Sequence, residues 1–133
     1  MLSYIQKECK NDWVKKIMAK KAKGGDCYEA AGKLALEFIR GKHPKAELVH
    51  GVALNSLDYM PMGHAWVEVG GKVYDYSNGR KITESKSNYY HAGAIKELMK
   101  KGYKQHRYKG MEVAKSVLKY KHWGPWENLG VNR

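Results

Sequence analysis

With 133 residues, 43% of them hydrophobic and 29% charged, the chain is long enough to bury one core and too short for two ordinary domains, which excludes disordered and fibrous classes. Its formal net charge of +12 is concentrated in residues 76–133, where thirteen Lys or Arg face four Glu, and this favours acidic partners: nucleic acid, an anionic cell-wall polymer or an acidic protein face. MLSYIQKECK carries charges where a secretory leader needs an apolar run, and no segment approaches bilayer length, so the expectation is a cytoplasmic protein without a membrane span, its two cysteines, Cys9 and Cys27, kept as thiols.

In chain order, Ile5, Cys9, Trp13 and Ile17 recur every fourth position, with Val14 and Met18 beside them, and predict a helix over residues 3–20 with lysine-rich outer faces. Gly24-Gly25 ends it. Asp26 followed three residues later by Glu29 reads as a capping box for a second helix, whose first residue is Cys27 and whose inner face carries Ala31, Leu34 and Phe38 up to a stop at Gly41. Residues 47–54, ELVHGVAL, read as a strand, and NSLDYMPMG as a loop. HAWVEV and KVYDYS, joined by Gly70-Gly71, have the signature of a β-hairpin. After a polar stretch at 77–88, AGAIKELMKKG predicts a third helix, YKQHRYK an edge strand and MEVAKSVLKYKH a fourth helix. Helices, a β core, then helices again describe a single α+β domain over residues 1–133.

The hairpin fixes a geometry. If Gly70 and Gly71 alone form the turn, Val69 pairs with Lys72, and counting back places Trp66 opposite Asp75 and His64 opposite Ser77. His64, Trp66 and Asp75 then share one sheet face. His64 and Asp75 are diagonal neighbours about 7–8 Å apart along the backbone, within side-chain reach. A bulge at the turn would send them to opposite faces.

Three roles of nucleophilic catalysis fit these positions. A helix N-terminus favours a thiolate through its unpaired N–H groups and positive dipole end, and Cys27 has that address. A neighbouring imidazole takes the thiol proton and later returns one to the leaving group, a role for His64. A carboxylate on the second ring nitrogen orients the imidazole, a role for Asp75. The backbone N–H groups at Cys27 are candidate oxyanion donors, with Gln6 or Asn11 as upstream side-chain helpers. Tyr28, Trp66 and Gln6 are the candidate substrate-binding residues.

GDCYEAAGKLALEF followed by GHAWVEVGGKVYDYSNG resembles the core of the papain-like cysteine hydrolases, most closely their transglutaminase-like branch, over roughly residues 20–80. The resemblance implies a papain-like fold with N-terminal helices packed on a small antiparallel sheet. It also implies acyl-enzyme chemistry at a carboxamide: proteolysis, amide hydrolysis, deamidation or transfer to an amine, with no cofactor. Two departures bear on the acceptor substrate. Tyr28 stands where the family often has Trp, and the hairpin is shorter than in large transglutaminases.

Other readings stand beside this one. Taken alone, Cys27 reads first as a small core residue, His64 as a strand-end histidine bonded to backbone, and Asp75 as a turn-flanking acid; their combination is what favours the thiol chemistry. Cys9 sits mid-helix on the apolar stripe and reads as core. His43, His50, His91, His106 and His122 show no metal-ligand spacing with the cysteines, and a zinc site on Cys27, His64 and Asp75 lacks an evident fourth protein ligand. Lysine pairs such as Lys15-Lys16, Lys20-Lys21 and Lys100-Lys101 read as solvated helix faces. Tyr89, Tyr90, Tyr103, Tyr108 and Tyr120 interleave with bases in the C-terminal half, and this supports the rival class, a non-catalytic basic module binding nucleic acid or an acidic protein. Trp123-Gly124-Pro125-Trp126 reads as an aromatic corner clamping the last helix, or as a substrate wall.

Overall fold

The computed structural model of the chain describes residues 26–41 and 43–132. The expected first helix, with Gln6, Cys9 and Asn11, lies outside them. Among the described residues the order is α1 (Cys27–Arg40), β1 (Glu47–Leu54), β2 (Pro61–Val69), β3 (Lys72–Asp75), a 3-10 turn (Ser77–Gly79), β4 (Ile82–Ser85), α2 (Lys86–Ala92), α3 (Ile95–Lys100), β5 (His106–Lys109) and α4 (Met111–Tyr120). The strands form one antiparallel sheet in the order β4-β3-β2-β1-β5. The class is α+β, as the sequence reading expects.

The central strand β1 is buried from Leu48 through Ala53, because helices cover the sheet on both sides. Leu48 pairs with Val67 and, with Ala65, packs under Ala31, Leu34 and Ala35 of α1 and Val113 and Val117 of α4. Val49 pairs with Trp66, and with Val73 these pack on Tyr90 and Ile95 from the α2–α3 side. A strand buried on two faces needs apolar residues without alternation, which is how ELVHGVAL is spelled. Each fully buried Val or Leu contributes about 1.5–3 kcal/mol. The aromatic corner joins the first of these clusters. Trp123 is fully buried on Gly32 of α1, where an added Cβ would stand 2.5 Å from its ring.

The hairpin has the expected register: Val69 faces Lys72, Glu68 faces Val73 and Val67 faces Tyr74, with no bulge. Gly70 and Gly71 both have positive φ, 56° and 79°, the requirement of the tight turn that matches strand twist.

Four expectations are corrected. No capping box forms at α1: Asp26 already has helical backbone angles, and its carboxylate accepts the Asn78 N–H at 3.0 Å instead of capping. Glu29 pairs with Lys33 one turn on, at 3.6 Å. The loop after β1 is shorter than NSLDYMPMG, since β2 begins at Pro61, where a first strand position tolerates proline. The polar stretch 77–88 contains the 3-10 turn, the edge strand β4 and the start of α2, whose N-cap Ser85 accepts from the Asn88 N–H at 3.2 Å. The third predicted helix, AGAIKELMKKG, is shorter than expected: α3 starts only at Ile95, because Ala94 enters the left-handed region (φ 50°) and separates it from α2.

Candidate active site

The site forms where β3 stops. Past Asp75 the chain turns into the 3-10 element, and Asn78 there, in the left-handed region that asparagine tolerates (φ 56°), gives its N–H to Asp26 at the start of α1. That contact fastens the Cys27 end of the helix beside the Asp75 end of the hairpin. Cys27 is buried, 8% exposed, and free of any disulfide.

His64 Nε2 and Asp75 Oδ2 are 2.9 Å apart. Asp75 is 4% exposed and receives three further donors: the Ser77 N–H at 3.1 Å and Ser77 O–H at 2.7 Å on Oδ1, and the Tyr89 O–H at 2.8 Å on Oδ2. A carboxylate offers about four lone-pair sites, and here each is filled. Burial alone would raise this carboxyl, but the hydrogen bond and charge of His64, then Ser77 and Tyr89, hold it well below the usual carboxylate range. An ionised Asp75 accepts only, so Nε2 carries a proton and Nδ1 is the ring nitrogen left for the thiol. For His64, burial works downward and is outweighed by hydrogen bonds to Asp75 and Cys27 and by their charges, which raise the imidazole to about 9. His64 and Asp75 are thus hydrogen-bonded, and Cys27 lines the same cleft with them.

They open on a cleft of about 610 Å³. Its walls include Leu54, Leu57 and Met62 from the end of β1, the following loop and β2, together with Asn78, Arg80 and Tyr89. Leu57, Tyr59 and Met60 stand 90%, 75% and 53% exposed on that loop.

No family model, curated protein or solved structure matches the chain. Trp66 does not line the cleft: it is fully buried behind His64 (ring centroids 6.1 Å apart) and donates its indole N–H to Glu68 at 2.8 Å. Tyr28 is also buried, edge-on to His50 at 5.0 Å. Gln6 lies outside the described residues. Among the described residues no group of three or more His, Cys, Asp or Glu is placed to hold a metal ion, and no helix is long and apolar enough to cross a membrane.

Behind Trp66 sits a second buried acid. Glu68 receives Trp66, the Tyr90 hydroxyl and Arg107 Nη1 at 2.9 Å, with Lys86 at 3.3 Å. Burial acts against this carboxylate, and the bonds from Arg107, Tyr90 and Trp66 overcome it, lowering its pKa. Tyr108 is likewise buried and donates to Glu127 at 2.8 Å. Three of the five tyrosines that suggested a base-stacking surface thus direct their hydroxyls to carboxylates of the chain itself, Tyr89 and Tyr90 to buried Asp75 and Glu68 and Tyr108 to the exposed Glu127.

Sequence reasoning missed Ser77, Asn78, Arg80 and Tyr89. Ser77 had a signal, since an Asp followed two residues later by Ser suits a local side-chain turn. Tyr89 had none, because its approach to Asp75 depends on a helix that the polar stretch conceals.

Proposed function

We propose that this chain is a cysteine-dependent acyl-transfer enzyme acting on a carboxamide, with Cys27 as nucleophile, His64 as base and acid and Asp75 as orienter. The observation that carries the reading is that Cys27, the first residue of α1, lines the same cleft as an imidazole whose Nε2 is held by a saturated, buried carboxylate. The order Cys, His, Asp and their placement on a helix start and two hairpin strands support a papain-like, transglutaminase-like arrangement.

In that reading the thiol proton already rests on His64 Nδ1 in a thiolate–imidazolium pair, and the thiolate sulfur attacks the carboxamide carbon. The first-turn N–H groups of α1 have no intrahelical acceptors and face the developing oxyanion. Collapse expels the amine, which takes the proton from His64, and leaves a thioester on Cys27. Water or a second amine then attacks the thioester with His64 as base, giving hydrolysis or transfer. Arg80 on one wall and the net charge of +12 favour a substrate with acidic groups near the reacting carboxamide.

The test uses a simple activated acyl donor, p-nitrophenyl acetate. Release of nitrophenolate with one acetyl group on Cys27, located by peptide mass spectrometry and abolished in Cys27→Ala and His64→Ala, is the expected result. Acetyl groups on lysines alone, unchanged in both variants, would contradict the proposal.

A further inference from the structure

The Asp75 carboxylate is shared between two donors on one oxygen. His64 Nε2 lies 2.9 Å from Oδ2 and Tyr89 Oη lies 2.8 Å from the same atom. Tyr89 is brought there by α2, which is fixed twice more: Ser85 caps its start, and the adjacent Tyr90 gives its hydroxyl to Glu68. Two consecutive tyrosines thus serve two acids on one sheet face, with the Trp66 ring between them at 5.5 Å from Tyr89 and 5.9 Å from Tyr90.

We infer that Tyr89 is a positioning residue that competes with His64 for Asp75 Oδ2 and thereby limits how tightly the triad holds its imidazolium proton. The inference rests on the triad reading above. A phenol donating to Oδ2 withdraws negative charge from the atom that His64 uses, so the carboxylate binds the imidazolium less strongly than it would alone. A general acid must release its proton to the leaving group, and an imidazolium gripped too firmly donates poorly. The groups facing this centre are Asp75 from β3, Cys27 from α1 and Tyr89 from α2, with Arg80 and Cys27 also acting on Tyr89. Burial and then Asp75 raise the Tyr89 phenol above its ordinary value, so it stays a donor across the working pH range.

The test is the titration of the His64 ring, followed by NMR of its carbon-bound protons in the full chain without substrate. In Tyr89→Phe the ring stays against Trp66 and only the donor is lost. The expected midpoint moves up by about one pH unit, a tenfold change in the ionisation constant. The alkaline limit of any Cys27-dependent acyl transfer should move the same way. With 3-fluorotyrosine at position 89, a stronger donor of nearly the same size, the midpoint should move down, which keeps the inference testable if Tyr89→Phe does not fold. An unmoved midpoint, or the reverse directions, would overturn it, as for a tyrosine that only fills space. The two readings fail separately. Inert Cys27 with a shifted His64 midpoint removes the enzyme and leaves the tuning, whereas reactive Cys27 with an unmoved midpoint removes the tuning alone.

Discussion

Replacing Asp75 with Asn puts an amide where four donors converge, so at least one N–H group faces another donor at the distances of 2.7–3.1 Å that hold His64, Tyr89 and Ser77. The largest measurable effect is on His64. Its pKa is raised in the folded chain from an ordinary 6.5 to about 9, so the folded state holds a proton that the unfolded chain releases between these values. The associated stability is fully present below pH 6.5 and is lost as pH rises through about 9. At about 1.4 kcal/mol per pH unit this amounts to about 3 kcal/mol, counted once for the coupled pair. Asp75→Asn removes the charge that sustains the shift. Urea unfolding of both proteins at about pH 6 and about pH 10 should therefore give a stability gap about 3 kcal/mol larger at the lower pH. The His64 ring in the variant should titrate near or below 6.5. A gap that is the same at both pH values, with His64 still titrating near 9, would refute the account of the pair.

His50 makes the opposite prediction. It is 1% exposed with neither ring nitrogen hydrogen-bonded, and burial, then His106 and His122, lower it from 6.5 to about 3. Its stability is held above pH 6.5 and lost as pH falls, so at about pH 4.5 the native chain should have given up about 3 kcal/mol that His50→Leu retains, read by urea unfolding. Gly32→Ala should destabilise by about 1–3 kcal/mol in thermal unfolding, because its Cβ would stand 2.5 Å from the fully buried Trp123 ring. Leu57→Ser, at a 90% exposed position on the cleft rim, should change stability by less than about 0.5 kcal/mol while slowing acylation by bulky apolar donors relative to p-nitrophenyl acetate.

The parts of the fold governed by short-range rules were legible. Gly70-Gly71 dictated a turn type, the turn dictated the register, and the register placed Asp75 where it meets His64. The unbroken apolar spelling of 47–54 marked the central strand. What failed were features decided by tertiary contact. Asp26 had the letters of a cap, yet a partner 52 residues away in sequence takes its carboxylate. The polar stretch 77–88 conceals β4 and the start of α2 because β4 is an edge strand and α2 one short helix, held by a few inward residues, Tyr89 and Tyr90 above all. Trp66, adjacent in pattern to the histidine, faces the core because Val49 opposite it is buried too. Face is set by register, but depth is set by which helices cover that face.

The central claim is that Cys27 is an activated nucleophile and not a core thiol. Competitive labelling with iodoacetamide in the native chain, with Cys27 and Cys9 quantified by peptide mass spectrometry, tests it most directly. The account predicts that Cys27 reacts about tenfold faster or more, and that His64→Ala abolishes this preference. Equal, slow labelling of both cysteines, unchanged by His64→Ala, would contradict it.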